Sequence, residues 1–280
     1  MRGDCHIHMV LDGVAWKEAI ARHNPTPLDA CIQTCLERYQ ALGYTYLRDG
    51  GDRWGVGKRA RELAQPVGIA YRTPLSPLCR AGCYGAFIGE TFATEKEYAQ
   101  LVKKQGANGA DFIKIMISGL MDFDRFGHIL YDGPTQAEIR SMIHIAHEEG
   151  FSVMAHCNGA QNALTAAQMG VDSIEHGAYL TQESLCAMAE NGVIWVPTLS
   201  TIGNLLGKGR FDDRAVAEIL EAALENVNRY HALGGLVACG SDAGAWAVPH
   251  HAQTEEGWLQ KAGLTQDHWQ KALVTLQERF

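Results

Sequence analysis

The 280-residue chain has no apolar run approaching the ~20 residues that a membrane-spanning helix requires. It also lacks a basic excess. Its 24 Lys and Arg stand against 32 Asp and Glu, a net charge of −8, which speaks against a nucleic-acid partner. The first residues, MRGDCHIHMVLDG, hold two His and two Asp where a signal peptide would have its apolar stretch, so none is expected there. The eight cysteines fall in no C-x-x-C pair. The two C-x-x-x-C pairs, Cys31/Cys35 and Cys79/Cys83, do not match zinc-knuckle spacing. Reduced thiols in a cytoplasmic protein are the expectation. No G-x-G-x-x-G follows an early strand, which argues against an open dinucleotide-binding sheet. Repeats, low-complexity tracts and linker-like stretches are absent as well, so residues 1–280 are expected to form a single domain.

What is present is a globular balance, 46% hydrophobic and 20% charged. Short β-branched or apolar runs alternate with longer amphipathic ones. Strands are expected at Asp4–Val10, Tyr44–Arg48, Ile69–Thr73, Asp111–Ile117, Phe151–His156, Val171–Glu175, Val193–Leu199 and Leu236–Gly240. Helical stretches lie between them, such as Leu28–Leu42 before Gly43 and Thr135–Glu149 between Pro134 and Gly150. Pro74–Gly89 and Met121–Gly133 read as long loops. Eight strand–helix units in 280 residues predict an α/β fold, a (β/α)8 TIM barrel.

Six residues at strand ends share one kind of chemistry. His6 and His8 form an H-x-H pair in the first strand, where positions i and i+2 face the same side. Lys114 lies in the fourth strand, and His156 and His176 close the fifth and sixth. Asp242 follows the eighth in CGSDAG. In a barrel these positions gather at the C-terminal mouth. Histidine and carboxylate ligate zinc and similar divalent ions, and an inward Lys is costly to bury without a partner. The count fits two metals, or one metal with acid–base groups.

The segments DCHIH, GYTYLRDGG, GADFIKIMISG, VMAHCNGAQNALTAAQMGVDSIEHG, GVIWVPTLS and GSDAG span Asp4 to Gly244. In them the chain resembles the amidohydrolase superfamily, in its imidazolonepropionase-like and Xaa-Pro dipeptidase (prolidase)-like branch. The resemblance implies two divalent ions, with zinc the first choice among zinc, manganese, iron and cobalt. It implies that His6, His8 and Asp242 hold the more buried ion and that His156 and His176 hold the other. It further implies that Lys114, carboxylated by carbon dioxide, bridges them, and that Asp242 is the general base. The activity implied is hydrolysis of an amide or peptide bond, in an Xaa-Pro-like dipeptide or an N-acyl amino acid. A mononuclear cyclic-amide hydrolase with unmodified Lys114 is the alternative, and a ligand-binding barrel without turnover a third. Two departures from the family pattern are expected. The small β-sandwich that usually flanks the barrel has no sequence to form it, and a homo-oligomer could cover the surface it would shield. The Glu that many nucleobase deaminases carry after the fifth-strand His is absent from Cys157-Asn158-Gly159-Ala160, which favours amide over base chemistry.

Other candidates carry two readings each. Arg48 could bind a substrate carboxylate or pair with a neighbour such as Asp49. Arg80 and Tyr84, in the RAGCYG loop, could reach a small-molecule substrate or be loop-packing residues. Ser118-Gly119 could admit substrate or form a plain turn. His128, Asp122 and Asp124 could belong to a lid or a solvated loop. His144 and His147 read as surface residues, and His250-His251 as a helix start. Glu175 must face away from His176 on a strand, as an orienting group for a ligand or an ion-pair partner. Trp195 reads as core, and Trp246 as a candidate for an apolar subsite.

Overall fold

The computed structural model describes residues 2–280. Strand β1 (Arg2–Ile7) leads through helices α1 (Trp16–Ala21) and α2 (Asp29–Ala41) to β2 (Tyr44–Asp49). Helix α3 (Val56–Ala64), β3 (Ala70–Arg72), β4 (Leu78–Arg80), β5 (Glu90–Phe92), α4 (Glu95–Ala107) and β6 (Ile113–Met116) follow. Next come a hairpin of β7 (Leu120–Met121) and β8 (Ile129–Leu130), then α5 (Gln136–Glu148), β9 (Val153–Cys157), α6 (Ala160–Gln168) and β10 (Ser173–His176). The chain continues with α7 (Gln182–Glu190), β11 (Ile194–Val196), α8 (Ser200–Gly203), α9 (Asp213–Ala232) and β12 (Leu236–Val237). It finishes with α10 (Thr254–Lys261) and α11 (Gln266–Arg279).

Strands β1-β2-β3 form one parallel sheet, and β12-β11-β10-β9-β6-β4-β5 form a second. Parallel neighbours need crossovers, and the helices supply them. Backbone hydrogen bonds join the two sheets on both sides. Cys5 N donates to Cys239 O at 2.9 Å, Asp242 N to His6 O at 2.7 Å and His8 N to Ala243 O at 2.7 Å. On the other side Asp111 N donates to Thr73 O at 3.0 Å.

All eight expected strands are present, with their ends shifted by up to a few residues. Their apolar runs and flanking glycines are strong local signals. Four strands were not expected. β4 and β5 lie in and just beyond the Pro74–Gly89 segment, and β7 and β8 in and beside the Met121–Gly133 segment. Each is two or three residues long, too short to display a period. Strand β1 stops at Ile7, so His8 stands just beyond the strand and not within it. No helix among the described residues is long and apolar enough to cross a membrane.

Helix starts follow their caps. Thr135 accepts from Glu138 N while the Glu138 side chain accepts from Thr135 N, opening α5. Thr181 and Ser184 do the same for α7. Ile139, Met142, Ile143 and Ala146 of α5 then pack with Val153, Ala155 and Ile174 in the largest apolar cluster. A separate cluster of Cys5, Tyr46, Phe112, Met154, Ile194 and Val196 meets Leu273, Leu276 and Phe280 of α11. This apolar floor lies beneath the strand ends that carry the candidate ligands.

Glu255 anchors α10 to the segment after β11. Its carboxylate accepts from Leu199 N at 2.9 Å and Ser200 N at 2.7 Å. Burial raises its pKa from 4.5 to about 7, against the lowering effect of those hydrogen bonds. The folded chain then holds a proton that the unfolded chain releases between about pH 4.5 and 7. This group's contribution to stability is therefore present below pH 4.5 and declines as pH rises to about 7. Glu255→Gln removes the titration. Denaturant midpoints across this range should fall less steeply with pH in the variant, and identical slopes would exclude the assignment.

Candidate metal centre

The ligand cluster rests on a buried ion pair. Arg48, 0% exposed, donates from Nε to Cys5 O at 2.7 Å, from Nη1 to Ser173 Oγ at 2.9 Å and from Nη2 to Glu175 Oε1 at 2.8 Å. Its guanidinium lies 4.5 Å from the Phe280 ring centroid, against the apolar floor. Arg48 is therefore fully engaged and sealed from solvent. The substrate-carboxylate reading is corrected to the ion-pair reading, with Glu175 as partner in place of Asp49.

Glu175 transmits this anchoring upward. Its Oε1 also accepts from Ser173 Oγ at 2.6 Å, and its Oε2 accepts from His6 Nδ1 at 2.7 Å. Donation from Nδ1 fixes the His6 tautomer and leaves Nε2 as the free lone pair. That Nε2 is buried and has no hydrogen-bond partner. It lies 3.5 Å from Asp242 Oδ1, as does His8 Nε2. Ligand atoms of His6, His8 and Asp242 all fall within 4.8 Å of one another. Among the described residues, no other set of three His, Cys, Asp or Glu side chains meets that condition.

Backbone strain and missing side chains make this approach possible. Asp242 has φ 58° and His176 has φ 68°, left-handed values unusual outside glycine. The turn at His176 explains how Glu175 and His176, adjacent on one strand, both contribute. Glu175 points into the interior, while His176 swings back over the site, its ring centroid 5.2 Å from that of His6. Gly50 is required by close approach, since a Cβ there would sit 2.3 Å from His8 Cε1. Asp4 holds the Asp242 segment by accepting from Ser241 N at 2.9 Å and Ser241 Oγ at 2.6 Å.

His156 and His176 lie beside the triad. Their ring centroids are 4.6 Å apart. His156 Nε2 donates to Gly119 O at 3.1 Å, leaving Nδ1 free, and His176 Nδ1 shares a 2.7 Å hydrogen bond with Thr198 Oγ1. Burial holds all four imidazoles neutral, the form in which they ligate metals. The pKa values of His8 and His156 drop to about 3, and those of His6 and His176 fall well below the usual range. The charge of Lys114 pushes all four in the same direction.

Lys114 is 1% exposed, and its Nζ has no hydrogen-bond partner. Burial pushes its pKa down and that of Asp242 up. A buried amine and a buried Asp242 Oδ1, both unpartnered among neutral imidazoles, leave a polar cluster incomplete without a ligand. The donor set suits divalent ions.

Other expected residues are placed differently. Arg80 is spent on Glu138 of α5 at 2.7 Å, so its substrate reading is also corrected. Tyr84 does reach the site, its ring centroid 5.0 Å from that of His156. His128 bonds Asp122 at 2.9 Å and Asp124 accepts from Asp212 N at 2.9 Å, which ties the loop together. His147 pairs with Asp172, and His144 is exposed. His250 bridges Tyr39 Oη and Leu11 O. Trp195 is core and donates to His176 O at 3.0 Å. Sequence reasoning did not single out Ser173, Thr198 or Ser241. Their residue types are common, and only their partners mark them.

No family model matches the chain. An uncharacterized protein of Mycobacterium tuberculosis is 29% identical over 271 residues, covering 94% of this chain and 68% of its own. The ochratoxinase of Aspergillus niger is 31% identical over 108 residues, 38% of this chain and 22% of that enzyme. Its crystal structure superposes with a TM-score of 0.77 at 20% identity, over 94% of this chain and 67% of that one. An Xaa-Pro dipeptidase with methionine in its active site gives 0.74 at 21% identity, over 94% and 70%. This chain shares the fold of these two solved structures.

Proposed function

We propose that this protein is a metal-dependent amidohydrolase that cleaves an amide or peptide bond in a small-molecule substrate such as an Xaa-Pro-like dipeptide or an N-acyl amino acid. The observation that carries the reading is the approach of His6, His8 and Asp242 ligand atoms to within 4.8 Å of one another, with His6 Nε2, Asp242 Oδ1 and Lys114 Nζ all buried and unpartnered. The amidohydrolase, dipeptidase and ochratoxinase neighbours support amide hydrolysis in general. The reading includes a closed (β/α)8 barrel. The hydrogen bonds at the β1–β12 and β3–β6 seams support closure.

In this proposal His6, His8 and Asp242 would hold one ion, and His156 and His176 a second. Lys114, as a carbamate, would add a carboxylate oxygen donor to this set. The depressed pKa of Lys114 favours the neutral amine. Its nitrogen attacks the carbon of carbon dioxide, a C–N bond forms, and one proton leaves. The neutral amine thereby becomes a metal-pairing anion; from the ammonium form, a further proton leaves first. Bound there, divalent ions, zinc first among them, supply Lewis acidity toward a carbonyl oxygen and lower the pKa of water. Glu175 keeps His6 in the tautomer that presents Nε2, and Thr198 orients His176. Asp242, its pKa raised by burial, takes a proton from the attacking water and passes it to the leaving nitrogen.

A second reading, a one-metal cyclic-amide hydrolase with free Lys114, draws on the compactness of the triad, which excludes His156 and His176. Metal content distinguishes the two. Protein produced with zinc and bicarbonate and purified without chelator should hold about two equivalents per chain, falling toward one in Lys114→Ala. One equivalent that ignores Lys114 supports the second reading. No metal in folded protein overturns both.

A further inference from the structure

A run of aromatic rings leads from the ligand cluster to solvent. It begins at Tyr84, whose ring lies 5.0 Å from His156. Tyr131 stacks on Tyr84 at 6.3 Å with 19° between the planes. Phe87 lies 5.7 Å from Tyr84, and Trp16 meets Phe87 edge-on at 5.6 Å. The outer rings are open, Tyr131 being 67% exposed and Trp16 47%. A contiguous exposed aromatic surface of this kind usually marks a contact site. Here it is continuous with the imidazoles of the proposed active site.

Tyr131 is held in place at some conformational cost. Its φ is 67°, a left-handed value unusual for a bulky residue. The β7–β8 hairpin that carries it presses on Gly119, directly beyond the strand of Lys114. A Cβ at Gly119 would lie 1.7 Å from Leu130 O and 2.5 Å from Tyr131 O. The Tyr131 backbone is thus held against the segment that follows the Lys114 strand, although the residue contributes little to the core. Elsewhere Phe211 packs on Phe123 and Trp246, and all three partly buried rings lie against an apolar cluster. Those rings pack on one another, whereas Tyr131, beyond its contact with Tyr84, is 67% exposed.

We propose that Tyr84 and Tyr131 form a specificity subsite for a flat apolar side chain next to the scissile amide, so that the preferred substrates are amides of aromatic or large apolar amino acids. This deepens the amidohydrolase reading and rests on it for the word substrate. The subsite itself can be tested by binding alone. Calorimetry on the metal-loaded full chain would compare N-acetyl-phenylalanine with N-acetyl-alanine.

The parent should bind the phenylalanine compound at least about tenfold more tightly. Tyr131→Ala should weaken that compound about threefold to tenfold and leave the alanine compound within about twofold. Tyr131→Phe, which keeps the stacked ring, should retain the preference and also serves if the Ala variant folds poorly. The same ratios are expected in kcat/KM. Equal affinity for the two compounds, binding of neither, or equal losses in both series would overturn the subsite. A binding preference that depends on Tyr131, with neither compound hydrolysed, would keep the subsite and count against amide hydrolysis.

Discussion

Asp242→Asn should lower turnover of a cleaved amide by about 10²–10⁴-fold while metal content stays near that of the parent. The two effects separate because the proposal gives the side chain two tasks. Its Oδ1 lies 3.5 Å from both His6 Nε2 and His8 Nε2, and an Asn oxygen can occupy the same place. What Asn cannot do is accept and return a proton. Burial raises the pKa of Asp242 from its ordinary 3.8, toward the range where both transfers proceed near neutrality. The measurement is kcat on the best amide substrate alongside metal analysis of the same preparation. A variant with parent-like kcat and full metal would remove Asp242 from proton transfer. A variant that loses its metal would show that the negative charge is needed for binding.

Arg48→Met should destabilise the fold by about 3–5 kcal/mol. Three hydrogen bonds from a fully buried guanidinium disappear, and Glu175 remains in the interior without its charged partner. The consequence reaches the metal centre, because Glu175 Oε2 is the acceptor that sets the His6 tautomer. Metal affinity should therefore fall by about 10–100-fold, as for other partners of ligating histidines. The double variant Arg48→Met/Glu175→Met should recover part of the stability but not the metal affinity, since it removes the unpaired charge yet leaves His6 without its acceptor. Urea denaturation and metal competition measure the two quantities. A loss below about 1 kcal/mol with unchanged affinity would reduce the pair to filler.

The sequence by itself determined the succession of elements and the candidate ligand set. Apolar runs bounded by glycine are local signals, and the eight expected strands lie where those runs are. His6, His8, Lys114, His156, His176 and Asp242 were legible because strand ends of a parallel α/β fold converge on one face, whatever the loops do. The tertiary structure alone decided the rest. Arg48 is consistent with a substrate carboxylate or an ion pair until its distance from Glu175, 127 positions away, is known. Arg80 looked toward the pocket in sequence and turns to Glu138 in space. Strict alternation would place Glu175 and His176 on opposite faces, but the left-handed φ of His176 brings both to one centre. Tyr131 carries no local signal, and its position over Tyr84 depends on a two-residue hairpin pressed against Gly119. Periodicity and capping act over a few residues, so a single sequence records them. Ion pairs, tautomers and ring stacks join residues tens to hundreds of positions apart, and only the packed chain brings them within reach.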